Sequence, residues 1–321
     1  MAALTSDQVE QFQREGYLLV ENMFDPVADI DPIIAEYQGV LDRLADELYG
    51  RGAISSAHAE LPFGQRLIEI YKESGAVHAQ YFDFSLPQAD VRADTPFWAG
   101  PAVFNMIRNE KLLDAVESLI GPEIYSNPVQ HVRLKPPEHL TPKDALGRVQ
   151  LGKTLVHQDN GVVLPEADQT DMLTVWFPLW DATVENGCLV VWPQSHIQGL
   201  LDHCPNPGGL QIPGKLLSGK AKSMPMRRGD ALFMNKLTVH ASHSNTSNNI
   251  RWSFDLRYNP IGQPTGRSAF PGFIARSRKH PETELRDAVA WAHSWLEARD
   301  TLAATEMGQF NRWSAENAVC A

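Results

Sequence analysis

A histidine and an aspartate two positions apart are the first residues of this sequence whose spacing suggests chemistry. In Leu155-Val156-His157-Gln158-Asp159, the two-residue period of a strand would put the side chains of His157 and Asp159 on one face. An imidazole and a carboxylate aimed at one point can both bind a metal ion. The chain has 11 histidines, so about one such pair is expected by chance, and the pair needs a third ligand to carry weight.

His240 is the candidate for that third ligand. It lies in the predicted strand Val239–Ser242, far from Asp159 in sequence but within reach in a rolled sheet. Two imidazoles and one carboxylate occupy one face of an octahedron, an arrangement that suits non-haem Fe(II) and leaves three coordination positions open. The alternative for any single histidine is a core or surface position held by a hydrogen bond.

Arg251 follows His240 by 11 residues, in the predicted strand Ile250–Tyr258. This strand is apolar at even positions and polar or charged at odd ones, so its even side chains are predicted to be core. The polar face could simply be solvated. A guanidinium beside a metal pocket is also the natural bidentate partner of a carboxylate, and an anionic co-substrate would fit there. Asp255 and Arg257 share this face, where they either pair with each other or line the cavity.

The elements that would position these residues change character along the chain. Helical spacing and capping residues dominate up to about Ile120, and a final helix is predicted over Glu282–Ala304. Between them, short strands alternate with Gly, Pro and Asn turns, as in a sandwich or barrel. The predicted strands are Gln130–Leu134, Thr154–Asp159, Asp171–Trp180, Cys188–Trp192, Ala231–Asn235, Val239–Ser242 and Ile250–Tyr258.

Composition limits the classes of function. With 321 residues, 43% hydrophobic and 21% charged, the chain can bury about three quarters of its unfolded surface. A net charge of -11 argues against a nucleic-acid partner. The three cysteines lack CxxC spacing and predict neither a disulfide framework nor a zinc ribbon, which suits a reducing cytoplasm. No apolar run approaches the roughly 18 residues of a membrane span, so no membrane association is expected.

Taken together, these residues resemble the phytanoyl-CoA dioxygenase family of Fe(II)/2-oxoglutarate oxygenases. The resemblance rests on short segments that occur in order along most of the chain up to about Pro260. They are Leu4 to Gln8, Gly16 to Asn22, His157-Gln158-Asp159, Trp176, Asn186 to His196, His240-Ala241-Ser242 and Arg251.

The resemblance implies a mainly β fold, a double-stranded β-helix (a cupin-like jelly roll) with flanking N-terminal and C-terminal helices. It also implies that His157, Asp159 and His240 ligate Fe(II) and act in catalysis. The co-substrate would be 2-oxoglutarate, consumed with O2 and released as succinate and CO2 while an unactivated C–H of a small molecule is hydroxylated or otherwise oxidised. The residues that this family reading assigns to the co-substrate pocket are Arg251, Ser242, Trp176 and His131.

The whole chain, 1–321, is predicted to be a single oxygenase domain. Its parts would be a helix-rich N-terminal part (1–122), a β-helix core (123–262) and a C-terminal helical extension (263–321). Two other interpretations stay open: a cupin-like metalloenzyme that needs no 2-oxoglutarate, and a catalytically inactive β-barrel that binds ligands.

The sequence does not identify the substrate or the oligomeric state. A basic run from Lys215 to Arg228 in an otherwise acidic chain would attract an anionic substrate, or it is only a solvated face. A secondary metabolite fits the family equally well. The Gly- and Pro-rich segment Trp192–Leu217 is either a lid over the barrel mouth or a plain loop.

Overall fold

The computed structural model describes residues 3–206, 208–305 and 311–320. Six α-helices and eleven strands occur in this part of the chain. The helices are α1 (Ser6–Glu15), α2 (Asp31–Gly50), α3 (Phe63–Ser74), α4 (Pro101–Ile107), α5 (Glu110–Ile120) and α6 (Ala288–Ala304). The strands are β1 (Tyr17–Val20), β2 (Glu123–Lys135), β3 (Leu173–Pro178), β4 (Leu189–Val191), β5 (Cys204–Asn206), β6 (Gly209–Gln211), β7 (Lys222–Met224), β8 (Ala231–Asn235), β9 (His240–Ser242), β10 (Arg251–Pro260) and β11 (Phe273–Ser277).

Two antiparallel sheets form the β core. The larger sheet has the order β1-β8-β3-β10-β2-β11, and the smaller one has the order β7-β4-β9. From β7 to β10, successive strands alternate between the two sheets, as in a jelly roll, and helices precede and follow the strands. The expected double-stranded β-helix fold with flanking helices is confirmed.

The two faces of β10 explain how the larger sheet separates core from site. Its even side chains, Trp252 to Tyr258, are fully buried in the cluster that the helices form against this sheet. The ring of Phe63 from α3 stacks on Trp252 with 4.6 Å between centroids. The odd side chains point between the sheets, so the predicted alternation is confirmed and Arg251 faces the interior of the barrel.

The space between the sheets is filled unevenly. Trp176 and Met234 of the larger sheet pack against Leu189 and Val191 of the smaller one. Beside this packing a cavity remains, and Trp176, Met234 and Leu189 line it together with polar and charged side chains. The site is therefore built on strands whose positions the apolar packing fixes.

One predicted strand is wrong. Thr154–Asp159 is not a strand: His157 makes an isolated bridge to His240, and a 3₁₀ turn begins at Asp159 and runs to Val162. The turn forms because Gly161 donates its backbone N–H to the Gln158 carbonyl, 2.9 Å away, in place of a ladder bond. Strand alternation therefore does not explain how His157 and Asp159 come to lie together.

The C-terminal part also differs from expectation. The final helix begins at Ala288 rather than Glu282, capped by the Asp287 carboxylate, which accepts hydrogen bonds from two backbone N–H groups. Beyond it, the segment Asn311–Cys320 returns to the barrel, where Cys320 forms a disulfide with Cys204 of β5. The sequence predicted no disulfide framework, and it missed this one disulfide because 116 residues separate the two cysteines and only the tertiary fold brings them together.

Among the described residues, no helix combines the length and the apolar character needed to cross a bilayer. The division of the chain into a single domain with three parts stays a prediction, as does the cytoplasmic location.

Candidate metal centre and co-substrate pocket

His157 and His240 form a hydrogen-bonded cross-strand pair. The backbone N–H of each donates to the carbonyl of the other at 2.9 Å, and the ring centroids are 4.2 Å apart. Directly paired residues of antiparallel segments project their side chains to the same side. The bridge thus brings together two imidazoles that are distant in sequence.

The Nδ1 atoms of both rings are already committed. His157 Nδ1 lies 2.8 Å from the Leu155 carbonyl, and His240 Nδ1 lies 3.0 Å from the Thr238 carbonyl. A carbonyl oxygen only accepts, so each Nδ1 carries a proton, and in the neutral ring each Nε2 keeps a lone pair. Burial, and then the neighbouring His240, hold the pKa of His157 well below its ordinary value. The neutral tautomer with a free Nε2 is the form that binds metal.

Asp159 completes the set from the 3₁₀ turn. Its Oδ1 lies 3.8 Å from the Nε2 atom of each histidine. The carboxylate is fully buried, and it accepts hydrogen bonds from Thr174 Oγ1 and, at 2.5 Å, from Arg257 Nη2. Burial raises the pKa of Asp159, but the Arg257 guanidinium and the two imidazoles outweigh it and hold this pKa well below the usual range. The group is therefore an anion.

Arg257 is held by an irregularity in the neighbouring strand. The register of β10 on β2 shifts between Asp255, which pairs with His131, and Arg257, which pairs with Asn127. The bulge frees the Val129 carbonyl, which accepts from Arg257 Nη1 at 2.8 Å. Sequence reasoning placed Arg257 on the correct face but not at Asp159. Its 3.4 Å contact with Asp255, one of the predicted alternatives, is the longer of its two ion pairs.

The residue between the two ligands anchors the turn. Gln158 is fully buried, and its side-chain amide donates to the Gly199 and Leu237 carbonyls at 2.8 and 2.7 Å. Its backbone N–H donates to Nε2 of the buried His203 at 2.9 Å. A Cβ on Gly161 would lie 2.2 Å from the His203 ring, so only glycine fits there.

The C-terminal segment supports the same turn from outside. Trp313 Nε1 donates to the Gly161 carbonyl at 2.6 Å, and the indole stacks on His203 with 5.1 Å between centroids. Arg312 pairs with Asp168 through two hydrogen bonds of 2.5 and 2.8 Å. No sequence motif signalled this support, because it joins positions about 150 residues apart.

Arg251 and Trp176 lie together on the wall of the cavity. The Arg251 guanidinium is buried, stands 5.4 Å from the Trp176 ring centroid, and donates from Nη1 to Ser253 Oγ at 2.6 Å. Burial, and then the charge of Arg133, lower the pKa of Arg251 to about 9. Its Nε atom is buried and has no hydrogen-bond partner among the described residues, so the guanidinium has donor capacity left for a ligand.

Ser242 is connected to the same wall by a hydrogen bond from Lys135. Its hydroxyl accepts from Lys135 Nζ at 2.8 Å and from the Thr154 N–H at 2.8 Å, and Lys135 Nζ also donates to Thr154 Oγ1 at 2.7 Å. Burial and then Arg251 hold the pKa of Lys135 well below its ordinary value. Lys135 is opposite Arg251 in the β2–β10 register, and the sequence motifs gave it no role.

His131 lines the cavity with Trp176 and Arg251. Its Nδ1 lies 2.7 Å from Asp83 Oδ2, so the ring is oriented by an acid that precedes the barrel in sequence. The basic run lies elsewhere: Lys222 donates to the Tyr17 hydroxyl and Arg228 pairs with Asp31. No residue of that run lines the cavity at the metal centre or the larger cavity next to it.

The donor set fits a divalent metal of the iron type. One ligand atom from each of His157, Asp159 and His240 lies within 4.8 Å of the others. Two imidazoles and one carboxylate, with cavity on the remaining side, match the facial set used by non-haem Fe(II). One face of the site thus carries all three predicted ligands. Of the predicted co-substrate residues, Arg251, Trp176 and His131 line the cavity, and Ser242 contacts its wall through Lys135 and Thr154.

The sequence is similar to known proteins along most of its length. The family model for phytanoyl-CoA dioxygenase (PhyH) matches residues 12–253. A phytanoyl-CoA dioxygenase domain-containing protein 1 homolog from Dictyostelium discoideum is 26% identical over 273 residues, which are 79% of this chain and 91% of that protein. The phytanoyl-CoA dioxygenase domain-containing protein 1 of Danio rerio is 25% identical over 270 residues, 78% and 88% of the two chains.

Solved structures resemble the chain in fold. The apo form of ThoJ, described as a non-heme monooxygenase, has a TM-score of 0.59 at 18% identity and covers 92% of this chain and 96% of its own. SnoN, described as a non-heme alpha ketoglutarate dependent epimerase from nogalamycin biosynthesis, has a TM-score of 0.50 at 20% identity and covers 82% and 86%.

Proposed function

The chain belongs to the phytanoyl-CoA dioxygenase family, and on that premise we propose that it is a non-haem Fe(II)/2-oxoglutarate-dependent dioxygenase that hydroxylates or otherwise oxidises an unactivated C–H of a small molecule. His157, Asp159 and His240 would ligate the iron. Arg251 and Ser242 would hold the distal carboxylate of 2-oxoglutarate, beside Trp176 and His131.

One observation carries this proposal: a set of two histidines and one carboxylate lies beside a cavity that also contains a buried guanidinium with no ion pair to an acid among the described residues. A metal site alone would suit an enzyme that needs no oxoacid. A buried cation is costly unless an anion meets it, so the pocket is suited to a carboxylate.

Bound ferrous iron would supply activation of O2 coupled to oxidative decarboxylation of 2-oxoglutarate, with release of succinate and CO2. The side chains of this protein would bind and orient the reactants. The carbonyls of Leu155 and Thr238 fix both imidazoles with Nε2 toward the metal position. Arg251 and the Ser242–Lys135 pair would fix the far end of the co-substrate, and the packed sheets would exclude water.

The presence of Asp159 favours oxygenation. Halogenases that resemble this family carry a small residue at that position, where chloride takes the place of the carboxylate. Here the carboxylate is present and is held by Arg257 and Thr174. Hydroxylation is therefore the outcome we propose first.

The test is anaerobic titration of the protein with Fe(II) and 2-oxoglutarate, followed through the visible charge-transfer band of the chelate. The parent should develop the band, and Asp159→Ala should not. Asp46→Ala, on the exposed side of α2, is the matched control and should behave as the parent. A parent without the band, or an Asp159→Ala variant that keeps it, would refute the site assignment.

Arg251→Ala gives an independent outcome in the same titration. Loss of a buried charge-assisted pair costs about 2–5 kcal/mol, so the Kd for 2-oxoglutarate should rise roughly 30-fold or more. The Kd for Fe(II), measured without 2-oxoglutarate, should change little. Equal effects on both would mean that Arg251 has only a structural role.

A further inference from the structure

Arg133 lies where two cavities meet. The smaller cavity, about 120 Å³, contains His157, His240 and Arg251, and the larger one, about 980 Å³, opens outward from it. Arg133 lines both of them, as does Thr154. The larger cavity is near the upper end of the range of about 300–1,000 Å³ that small-molecule sites occupy. It is the natural place for the substrate.

The Arg133 side chain makes no hydrogen bond and no ion pair with the described residues, although it is half-buried. Two other guanidiniums of the smaller cavity have partners within the chain: Arg257 pairs with Asp159 at 2.5 Å, and Arg267 donates to the Val162 carbonyl at 2.6 Å. Arg251 donates to Ser253 at 2.6 Å and is assigned above to 2-oxoglutarate. Arg133 therefore presents its planar donor set to the cavity.

Positive charge is in excess around Arg133. Arg251 and Lys135 are directly opposite each other in the β2–β10 register, and Arg133 is two residues from Lys135 on the same face. Arg133 contributes to lowering the pKa of both neighbours. Like charges this close destabilise the protein unless an anion is bound between them.

The wall of the larger cavity repeats this imbalance. It has four cationic and two acidic side chains in a protein whose net charge is -11. Asp144 is paired with Arg148 at 2.7 Å, and Glu138 accepts from the Lys153 backbone N–H at 3.1 Å. The wall keeps an excess of positive charge, and among the described residues neither acid forms an ion pair with Arg133.

We propose that Arg133 binds a carboxylate of the primary substrate, and that the substrates of this enzyme are small carboxylic acids. This inference rests on the proposed function, because it assigns Arg251 and Ser242 to 2-oxoglutarate and leaves Arg133 to the second reactant. A guanidinium meets a carboxylate through two parallel hydrogen bonds, which fixes orientation as well as charge. A substrate held in this way would enter through the larger cavity and keep its remaining carbon atoms beside the metal centre.

The experiment uses matched acids and amides as probes of the anaerobic protein loaded with Fe(II) and 2-oxoglutarate. The probes are octanoate and octanamide, 3-phenylpropanoate and 3-phenylpropanamide, with inorganic phosphate as a separate arm. Each is titrated by calorimetry into the parent, Arg133→Gln, Arg133→Lys and Lys153→Gln. Lys153→Gln is the control, because it removes a positive charge from the exposed part of the same wall.

The expected result is that at least one acid binds the parent about tenfold or more tightly than its amide. Arg133→Gln should abolish that preference, Arg133→Lys should keep part of it, and Lys153→Gln should leave it unchanged. Phosphate binding that exceeds the binding of both acids, and that is lost in Arg133→Gln, would overturn the carboxylate assignment in favour of a phosphorylated substrate. An absence of acid preference in the parent would also overturn it.

The charge-transfer band separates this inference from the proposed function. A parent without the band would refute the proposed function itself. A normal band in the parent, with a Kd for 2-oxoglutarate in Arg133→Gln raised as far as in Arg251→Ala, would show that Arg133 serves the co-substrate and would overturn the inference. If Arg133→Gln does not fold, Arg133→Lys provides the same comparison, since it keeps the charge and removes the paired donors.

Discussion

The site has a metal side, formed by His157, Asp159 and His240, and an anion side, formed by Arg251, Lys135 and Arg133. The two sides differ in how their buried charges are balanced. On the metal side, the one buried anion, Asp159, meets its cation within the chain, the Arg257 guanidinium at 2.5 Å. On the anion side, Arg251, Lys135 and Arg133 lie together, and no acid among the described residues forms an ion pair with any of them. One side is electrostatically complete without ligands, and the other is not.

The two sides therefore differ in what a ligand changes when it binds. The geometry of the metal side is fixed by contacts within the chain: the His157–His240 bridge, the hydrogen bonds at Nδ1 of the two rings, and the Arg257–Asp159 ion pair. The anion side keeps its geometry through hydroxyl groups such as Ser242 and Ser253, while its charges stay uncompensated. An anion that binds there relieves the repulsion among the cations, so ligand binding should stabilise the fold more than contact area alone predicts.

Arg257→Leu should have the largest effect on stability. It leaves the Asp159 carboxylate buried without its cation, and breaking a buried pair in this way costs about 3–5 kcal/mol. The free energy of unfolding in urea, measured without metal or 2-oxoglutarate, should fall by that amount. A loss below about 1 kcal/mol would mean that the metal side is not internally balanced.

Lys135→Met should act in the opposite direction. It removes a buried ammonium that is opposite Arg251, and this relief outweighs the hydrogen bonds lost to Thr154 and Ser242, which are worth about 1 kcal/mol each. The ligand-free protein should gain about 1 kcal/mol in free energy of unfolding, while the stabilisation produced by 2-oxoglutarate shrinks. A less stable ligand-free variant would contradict the comparison.

Acid should lower the free energy of unfolding by less than the loss of Arg257 does. The pKa of His157 is held well below 6.5 in the folded state, so below about pH 6.5 the unfolded chain binds a proton that the folded chain does not. Stability should therefore fall as the pH drops, by at most about 1.4 kcal/mol per pH unit for this group. Urea unfolding at pH 7.5, 6.5 and 5.5 measures the slope, and His157→Gln should reduce it. An unchanged slope in that variant would assign the acid sensitivity to other groups.

The sequence was sufficient for the features that follow from periodicity and residue type. The alternation of β10 correctly separated its core face from the face that carries Arg251. The roles of the three candidate ligands came from residue chemistry and family resemblance, and their convergence does not depend on the wrong strand assignment. His240 reaches His157 through a backbone bridge, and Asp159 reaches both through a turn.

The missed features depend on contacts between distant parts of the chain. Arg257 reaches Asp159 because a bulge in β2 frees the Val129 carbonyl, and no local pattern records that register shift. The Cys204–Cys320 pair and the Trp313 contact depend on where the chain goes after α6. Pairing of this kind is decided by the completed fold, so composition and spacing could not reveal it.

The turn that carries Asp159 is held partly by a contact from outside the family-matched part of the chain. Residues 12–253 match the family, whereas Trp313, which hydrogen-bonds the Gly161 carbonyl, lies well beyond that range. A chimera that exchanges residues 12–253 with the matching part of a relative would keep every proposed ligand, but the turn would then lie against a C-terminal segment from a different protein. Any transfer of this catalytic core into another protein should therefore include its own C-terminal segment.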